Sequence, residues 1–184
     1  MSNRNGKGNA WKYRNGKPRT ARKMSLRRSG FEPQWKVKEL WQNPFKEERR
    51  YATDGLRVWT EWIPVPAAKK TGVRIFDEWL QYLTEGKPDM GAFCKRYDGL
   101  KTSDLDAMAF VLTGMSGQRF QTEYRLLTLD ALLRYTTLPP DEVARRSGFG
   151  SKNNLYLTCK REYGTAAMER RKAIQQKGDV GRYR

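Results

Sequence analysis

DEVARRSGFGSKNNLYLTCKREYGTAAMERR, residues 141–171, decides how the rest of the chain is read. Its spacing predicts two helices meeting at a glycine turn. Glu142 to Ser147 forms a short helix that stops at Gly148, because glycine accepts the left-handed backbone that a helix end requires. Ser151 is placed to cap a second helix, which runs to about Tyr163 and is ended by Gly164. On that helix Leu155, Cys159 and Tyr163 recur at every fourth position and predict a buried stripe. Asn153, Asn154, Leu157, Lys160 and Arg161 then fall on the opposite, outward face. A short helix, a tight turn and a second helix with amides at its exposed start is how a helix-turn-helix offers a reading helix to the DNA major groove.

Composition points the same way. The chain has 184 residues, room for one or two domains, and its 37 Lys and Arg against 20 Asp and Glu give a formal charge of +17. A polyanion is the expected partner, with nucleic acid ahead of an anionic membrane surface. No stretch is long and apolar enough to span a bilayer and the start lacks a signal-peptide core, so the expectation is a cytoplasmic, nucleoid-associated protein without membrane contact. There is no histidine, and Cys94 and Cys159 stand far apart, which excludes Cys/His zinc sites and histidine-dependent catalysis. Both cysteines read as small reduced core residues. No carboxylate pair, phosphate loop or nucleophile constellation stands out, so neither an enzyme nor a cofactor or metal site is expected.

The basic excess is uneven. Residues 1–31 hold ten Lys and Arg and no acid, residues 32–88 ten against nine, residues 89–147 eight against eight, and residues 148–184 nine against three. The first 31 residues are rich in Gly and Asn and lack periodicity, so they read as a basic arm, disordered alone in water and suited to phosphate neutralisation. Lys17, Arg19, Arg22 and Lys23 are its candidate DNA contacts; Trp11 and Tyr13 lie among the cations, and Gly16-Lys17-Pro18-Arg19 faintly resembles a minor-groove hook.

Residues 32–72 form a tryptophan-rich segment and linker, with Trp35, Trp41, Trp59 and Trp62. Asp54-Gly55 suggests a hairpin turn, with Leu56, Val58 and Thr60 alternating against Arg57, Trp59 and Glu61. So many tryptophans favour packing on a neighbouring domain over a partner-binding surface. From Val73 the pattern is helical. Ile75, Phe76, Trp79, Leu80 and Leu83 mark one helix; Ala92 to Tyr97 makes a short one; Thr102 or Ser103 caps a third, closed by Gly114. A long helix follows from about Gln118 to Tyr135, with Phe120, Tyr124, Leu127 and Ala131 on one stripe and Leu126, Leu129 and Leu133 beside it. Pro140 suits the first turn of the next helix.

Residues 75–171 resemble the DNA-binding domain of the AraC/XylS family of transcription regulators. Arg125-Leu126, Leu133, Thr136, Val143-Ala144, Gly148-Phe149, Leu155, Lys160-Arg161, Tyr163-Gly164 and Arg170 carry the likeness in the second unit, and Cys94, Gly99, Leu100, Leu105 and Gly114-Met115 in the first. Nothing before Val73 resembles the family's usual effector-binding domain. The resemblance implies a mainly α fold with two helix-turn-helix units joined by a long helix, spanning residues 73–173. The basic arm and the small tryptophan-rich segment with its hairpin precede it, and a basic tail over residues 174–184 follows. It also implies a sequence-specific, non-enzymatic regulator bound to double-stranded DNA.

The departures shape the expected site. Leu155 and Cys159 stand where the family favours phenylalanine, Ala167 replaces a frequent proline, and Leu157 replaces a polar reader, where it would meet a thymine methyl. The first reading helix, TSDLDAMAFVLT, carries Asp104 and Asp106 and no cation, so it is expected to serve as scaffold or protein contact. The second is the main reader. Asn153 and Asn154 offer amides to adenine, and Lys152 reaches guanine or a phosphate. Lys160, Arg161, Arg145 and Arg146 are expected on the DNA backbone. Two other readings stay open: a protein-interaction or structural protein that reuses the fold, binding a partner or itself through the first unit or the tryptophan-rich segment, and a sequence-tolerant nucleic-acid-binding protein.

Overall fold

The computed structural model describes residues 32–87 and 89–175. The arm, with Trp11, Tyr13, Lys17, Arg19, Arg22 and Lys23, lies outside them, as do residues 176–184 of the tail. The elements in chain order are α1 (Val37–Leu40), β1 (Glu47–Thr53), β2 (Val58–Pro64), α2 (Arg74–Thr84), α3 (Met90–Cys94), α4 (Thr102–Thr113), α5 (Gly117–Tyr135), α6 (Pro140–Arg146), α7 (Lys152–Tyr163) and α8 (Ala167–Gln175). This is the mainly helical, tandem arrangement expected from the sequence: α3 and α4 form one helix-turn-helix, α6 and α7 the other, with α5 between them.

Two apolar clusters organise the helices. In the first, Phe76, Trp79 and Leu83 of α2, Phe93 and Cys94 of α3, and Leu105 and Ala109 of α4 close around Phe120 and Tyr124 at the start of α5. In the second, Val143 and Ala144 of α6, Phe149 of the turn, and Leu155 and Cys159 of α7 close around Leu126, Leu129 and Leu133 further along the same helix. The amphipathic stripes thus predict the packing: α5 turns one apolar side to each unit.

Element ends differ from the sequence reading where a side chain other than the expected one supplies the cap. Helix α3 begins at Met90, earlier than expected, because the Asp89 carboxylate accepts from the Gly91 N–H at 2.8 Å. Helix α4 is preceded by Lys101 at the cap position, and Asp104 accepts from the Lys101 N–H at 2.9 Å. Helix α5 starts on Ser116, whose hydroxyl accepts from the Arg119 N–H at 3.3 Å.

The tryptophan-rich segment packs on the helices. Val37 and Leu40 are buried in the first cluster, the Trp35 N–H donates to the Leu112 carbonyl at 3.0 Å, and Trp41 Nε1 donates to Thr128 Oγ1 at 2.9 Å. Trp62 lies 5.7 Å from Tyr135, ring centre to ring centre. Trp59 does not follow its neighbours; it is 43% exposed. The hairpin forms with β1 antiparallel to β2, Tyr51 opposite Thr60 and Thr53 opposite Val58. Its loop is longer than expected, spanning residues 54–57, so Leu56 and Arg57 belong to the turn and not to the second strand. The cause is Asp54, whose Oδ1 accepts from the Leu56 and Arg57 N–H groups at 2.9 and 2.7 Å and wraps the backbone around itself.

Gly86 joins the end of α2 to the end of α6. It holds φ of +72°, and an added Cβ would lie 3.1 Å from the Arg145 carbonyl oxygen and 3.2 Å from that of Arg146. Gly164 has φ of +72° with open space around it. Gly164→Ala should therefore cost only the left-handed penalty of about 1–2 kcal/mol, while Gly86→Ala should cost distinctly more in urea unfolding. Equal losses would show that the backbones are not in close contact at Gly86.

Candidate nucleic-acid interface

The turn that presents α7 is fixed by backbone bonds and one buried ring. The Phe149 N–H donates to the Ala144 carbonyl at 2.9 Å, and Phe149 itself is buried in the second cluster. Gly148 adopts φ of +78°, a left-handed backbone that side chains rarely take, while an added Cβ would meet Arg125 and the Gly86 carbonyl oxygen only at ordinary contact distance, 3.5 Å. Ser151 caps α7 as expected, its hydroxyl accepting from the Asn154 N–H at 3.3 Å, and Gly164 ends the helix.

Leu155, Thr158 and Cys159 anchor α7. Burial pushes the Cys159 thiol up to about 11, so it is a packing residue and not a reactive thiolate. Tyr163 is half-buried, and Arg170 explains why it matters: the guanidinium lies 3.7 Å from its ring and grips Asp130 through two bonds of 2.8 and 2.7 Å. One arginine on α8 thereby ties α7 to α5.

Lys152, Asn153, Leu157, Lys160 and Arg161 are exposed on one helix, as the sequence predicts. Tyr156 joins them at 50% exposure, with Lys160 5.9 Å from its ring. Tyr156 is not among the residues singled out from the sequence, although counting its angle on the helix places it outward.

Side-chain pairing divides these groups. Asn154 donates through Nδ2 to the Phe149 carbonyl at 3.0 Å, so one of its two amide hydrogens stabilises the turn. Arg145 and Arg146 both close on Glu142, at 2.6 and 2.5 Å. These two arginines hold the Glu142 carboxyl down at about 2, so the group is ionised at every pH above that value. Arg161 pairs with Glu162 at 2.9 Å, and Lys160 stands 3.6 Å from Glu169. Glu162 is itself held below the usual carboxylate range, first by Arg119 and then by Arg161. Lys152 is the one cation of α7 without an acidic partner among the described residues. It stands in the first helical turn, where the helix dipole disfavours a cation.

The first unit presents different chemistry. Asp104 holds the start of α4, and Asp106 Oδ1 accepts from the Gly117 N–H at 2.7 Å, holding the start of α5. The two carboxylates serve helix ends. The outward face of α4 offers Ser103, Ala107 and Val111, the last 61% exposed, with no long polar side chain.

No protein-family model matches the sequence, and no curated protein matches it. The chain is similar to the crystal structure of the DNA-binding domain of AdpA, the global transcriptional factor, in complex with a target DNA. The sequence identity is 25% and the TM-score 0.48, with 57% of this chain and 93% of that chain covered. Among the described residues no helix is long and apolar enough to cross a membrane.

The bond from Gly117 separates charge from structure in α4. Asp106→Ala removes the acceptor and should lower stability by about 0.5–2 kcal/mol in thermal unfolding. Asp106→Asn keeps an oxygen for the same N–H and should lose less; an equal loss from both would show that the charge, not the bond, holds this corner.

Proposed function

We propose that this chain is a sequence-specific, DNA-binding transcription regulator of AraC type, acting on double-stranded DNA in the cytoplasm, with α7 as its main reader. The observation that carries the reading is the start of α7. There Lys152, without an acidic partner among the described residues, and an exposed Asn153 stand on a helix whose opposite side is locked into a core. Asn153 reads an adenine edge through its amide, Lys152 takes a guanine edge or a phosphate, and Leu157 meets a thymine methyl. Lys160 and Arg161, further along, and Arg145 and Arg146 on the preceding helix contact phosphates once DNA competes with their carboxylate partners. Helix α4 acts as scaffold, its outward face lacking cations and amides. The arm, with Lys17, Arg19, Arg22 and Lys23, adds affinity through phosphates.

The reading is testable at the base contact of Asn153 and at the backbone contacts of Arg145 and Arg146, which pair with Glu142. Asn153→Ala should cost about 1–3 kcal/mol at one base position and little elsewhere, measured by anisotropy across duplexes varied one base at a time. Unchanged preference at every position would remove Asn153 from the reader. Glu142→Gln removes the carboxylate that both guanidinium groups must leave, so binding should tighten, while Arg145→Gln and Arg146→Gln should each flatten the dependence of log affinity on log salt by about 1. A salt slope unaltered in both arginine variants would mean that neither arginine reaches a phosphate. A sequence-tolerant packaging protein would instead lose nearly all binding at moderate salt without preferring any sequence.

A further inference from the structure

The hairpin is the place where this strongly basic chain shows a neutral, apolar surface. Four of the eight large apolar side chains exposed among the described residues, Tyr51, Leu56, Val58 and Trp59, lie within it. Residues 46–61 carry four cations and four carboxylates, so the ribbon is balanced in a chain of net charge +17. Polyanion binding does not account for such a surface, and repulsion between two copies is least there.

The ladder shows which edge is open. The Val65 N–H donates to the Lys46 carbonyl at 2.8 Å and the Asp54 N–H to the Arg57 carbonyl at 3.4 Å. Bonded pairs alternate along an antiparallel ladder, so Val58 and Thr60 of β2 turn their backbone groups outward, as Arg49 does on β1. The outward N–H of Arg49 is taken by the Tyr135 hydroxyl at 3.3 Å, which closes the base of the β1 edge. Val58 and Thr60 are exposed, and no described residue meets their outward backbone groups.

We propose that this edge of β2 pairs with the same edge of a second copy, antiparallel about Trp59, to form a four-stranded sheet across a two-fold axis. The five residues Arg57-Val58-Trp59-Thr60-Glu61 are self-complementary in that register. Val58 and Thr60 of one copy exchange backbone bonds with Thr60 and Val58 of the other. Arg57 stands directly opposite Glu61 of its mate and Glu61 opposite Arg57, and the two Trp59 rings meet at the axis. Neither Arg57 nor Glu61 has an ion-pair partner among the described residues of one copy. A one-residue slip would turn the outward groups of one strand onto the inward groups of the other, so the register is set by the ladder as well as by charge.

Sedimentation equilibrium of the full chain, free of nucleic acid, tests the pairing independently of any DNA activity. The wild-type chain should dimerise reversibly. Arg57→Glu and Glu61→Arg should each weaken dimerisation by at least about tenfold, and the double variant should regain most of the loss while helical melting stays unchanged in all three. Dimers that ignore both reversals, or a double variant no better than the singles, would overturn the proposal. So would a wild-type chain that stays monomeric up to millimolar concentration. If the reversals weaken DNA binding by a chain that remains monomeric, the ribbon is a nucleic-acid contact and the proposal fails.

Discussion

Helix α5 places its apolar residues in two different cores, and the positions of the other elements follow from that. Phe120 and Tyr124 fill the first cluster and Leu129 and Leu133 the second. At about 1.5 Å per residue the helix is a rigid beam roughly 28 Å long. Helix α7 shares the second cluster with it through Leu155 and Cys159, and Arg170 links Tyr163, at the far end of α7, to Asp130. The exposed start of α7 is therefore presented by a packed core, as a preformed binding surface should be.

The elements legible in the sequence were those with both periodicity and cap chemistry. Helices α2, α5 and α7 have apolar residues at helical spacing, and Ser151, Gly114 and Gly164 mark ends where the chain obeys them. The misplaced ends have a common kind of cause. At α3, α4 and the hairpin loop an aspartate side chain bonds the backbone, and at α5 the Ser116 hydroxyl does; which N–H each reaches depends on local geometry that residue order does not give. The docking of residues 32–72 was expected from their tryptophans, but the burial of Val37 and Leu40 was not, because a four-residue helix is too short to show a period.

The site was less legible than the fold, for an electrostatic reason. The sequence shows how many cations lie near α7, but not which are already engaged. Glu142, Glu162 and Glu169 pair with Arg145, Arg146, Arg161 and Lys160, and Asn154 turns its amide into the turn. The local field at the second unit is weaker than a charge count implies, since these pairs are exposed and contribute little to stability while neutralising one another. Much of the net charge of +17 lies in the ten cations of residues 1–31. The proposed reader and most of the charge excess thus lie in different parts of the chain.

The central claim is that α7 reads a particular DNA sequence, and selection of bound duplexes from a random pool tests it most directly. The whole chain should be compared with residues 32–184, because a cut nearer α2 would strip Val37 and Leu40 from the first core. Both should enrich the same motif, the longer chain with higher affinity. Failure of either to enrich any motif would contradict the account.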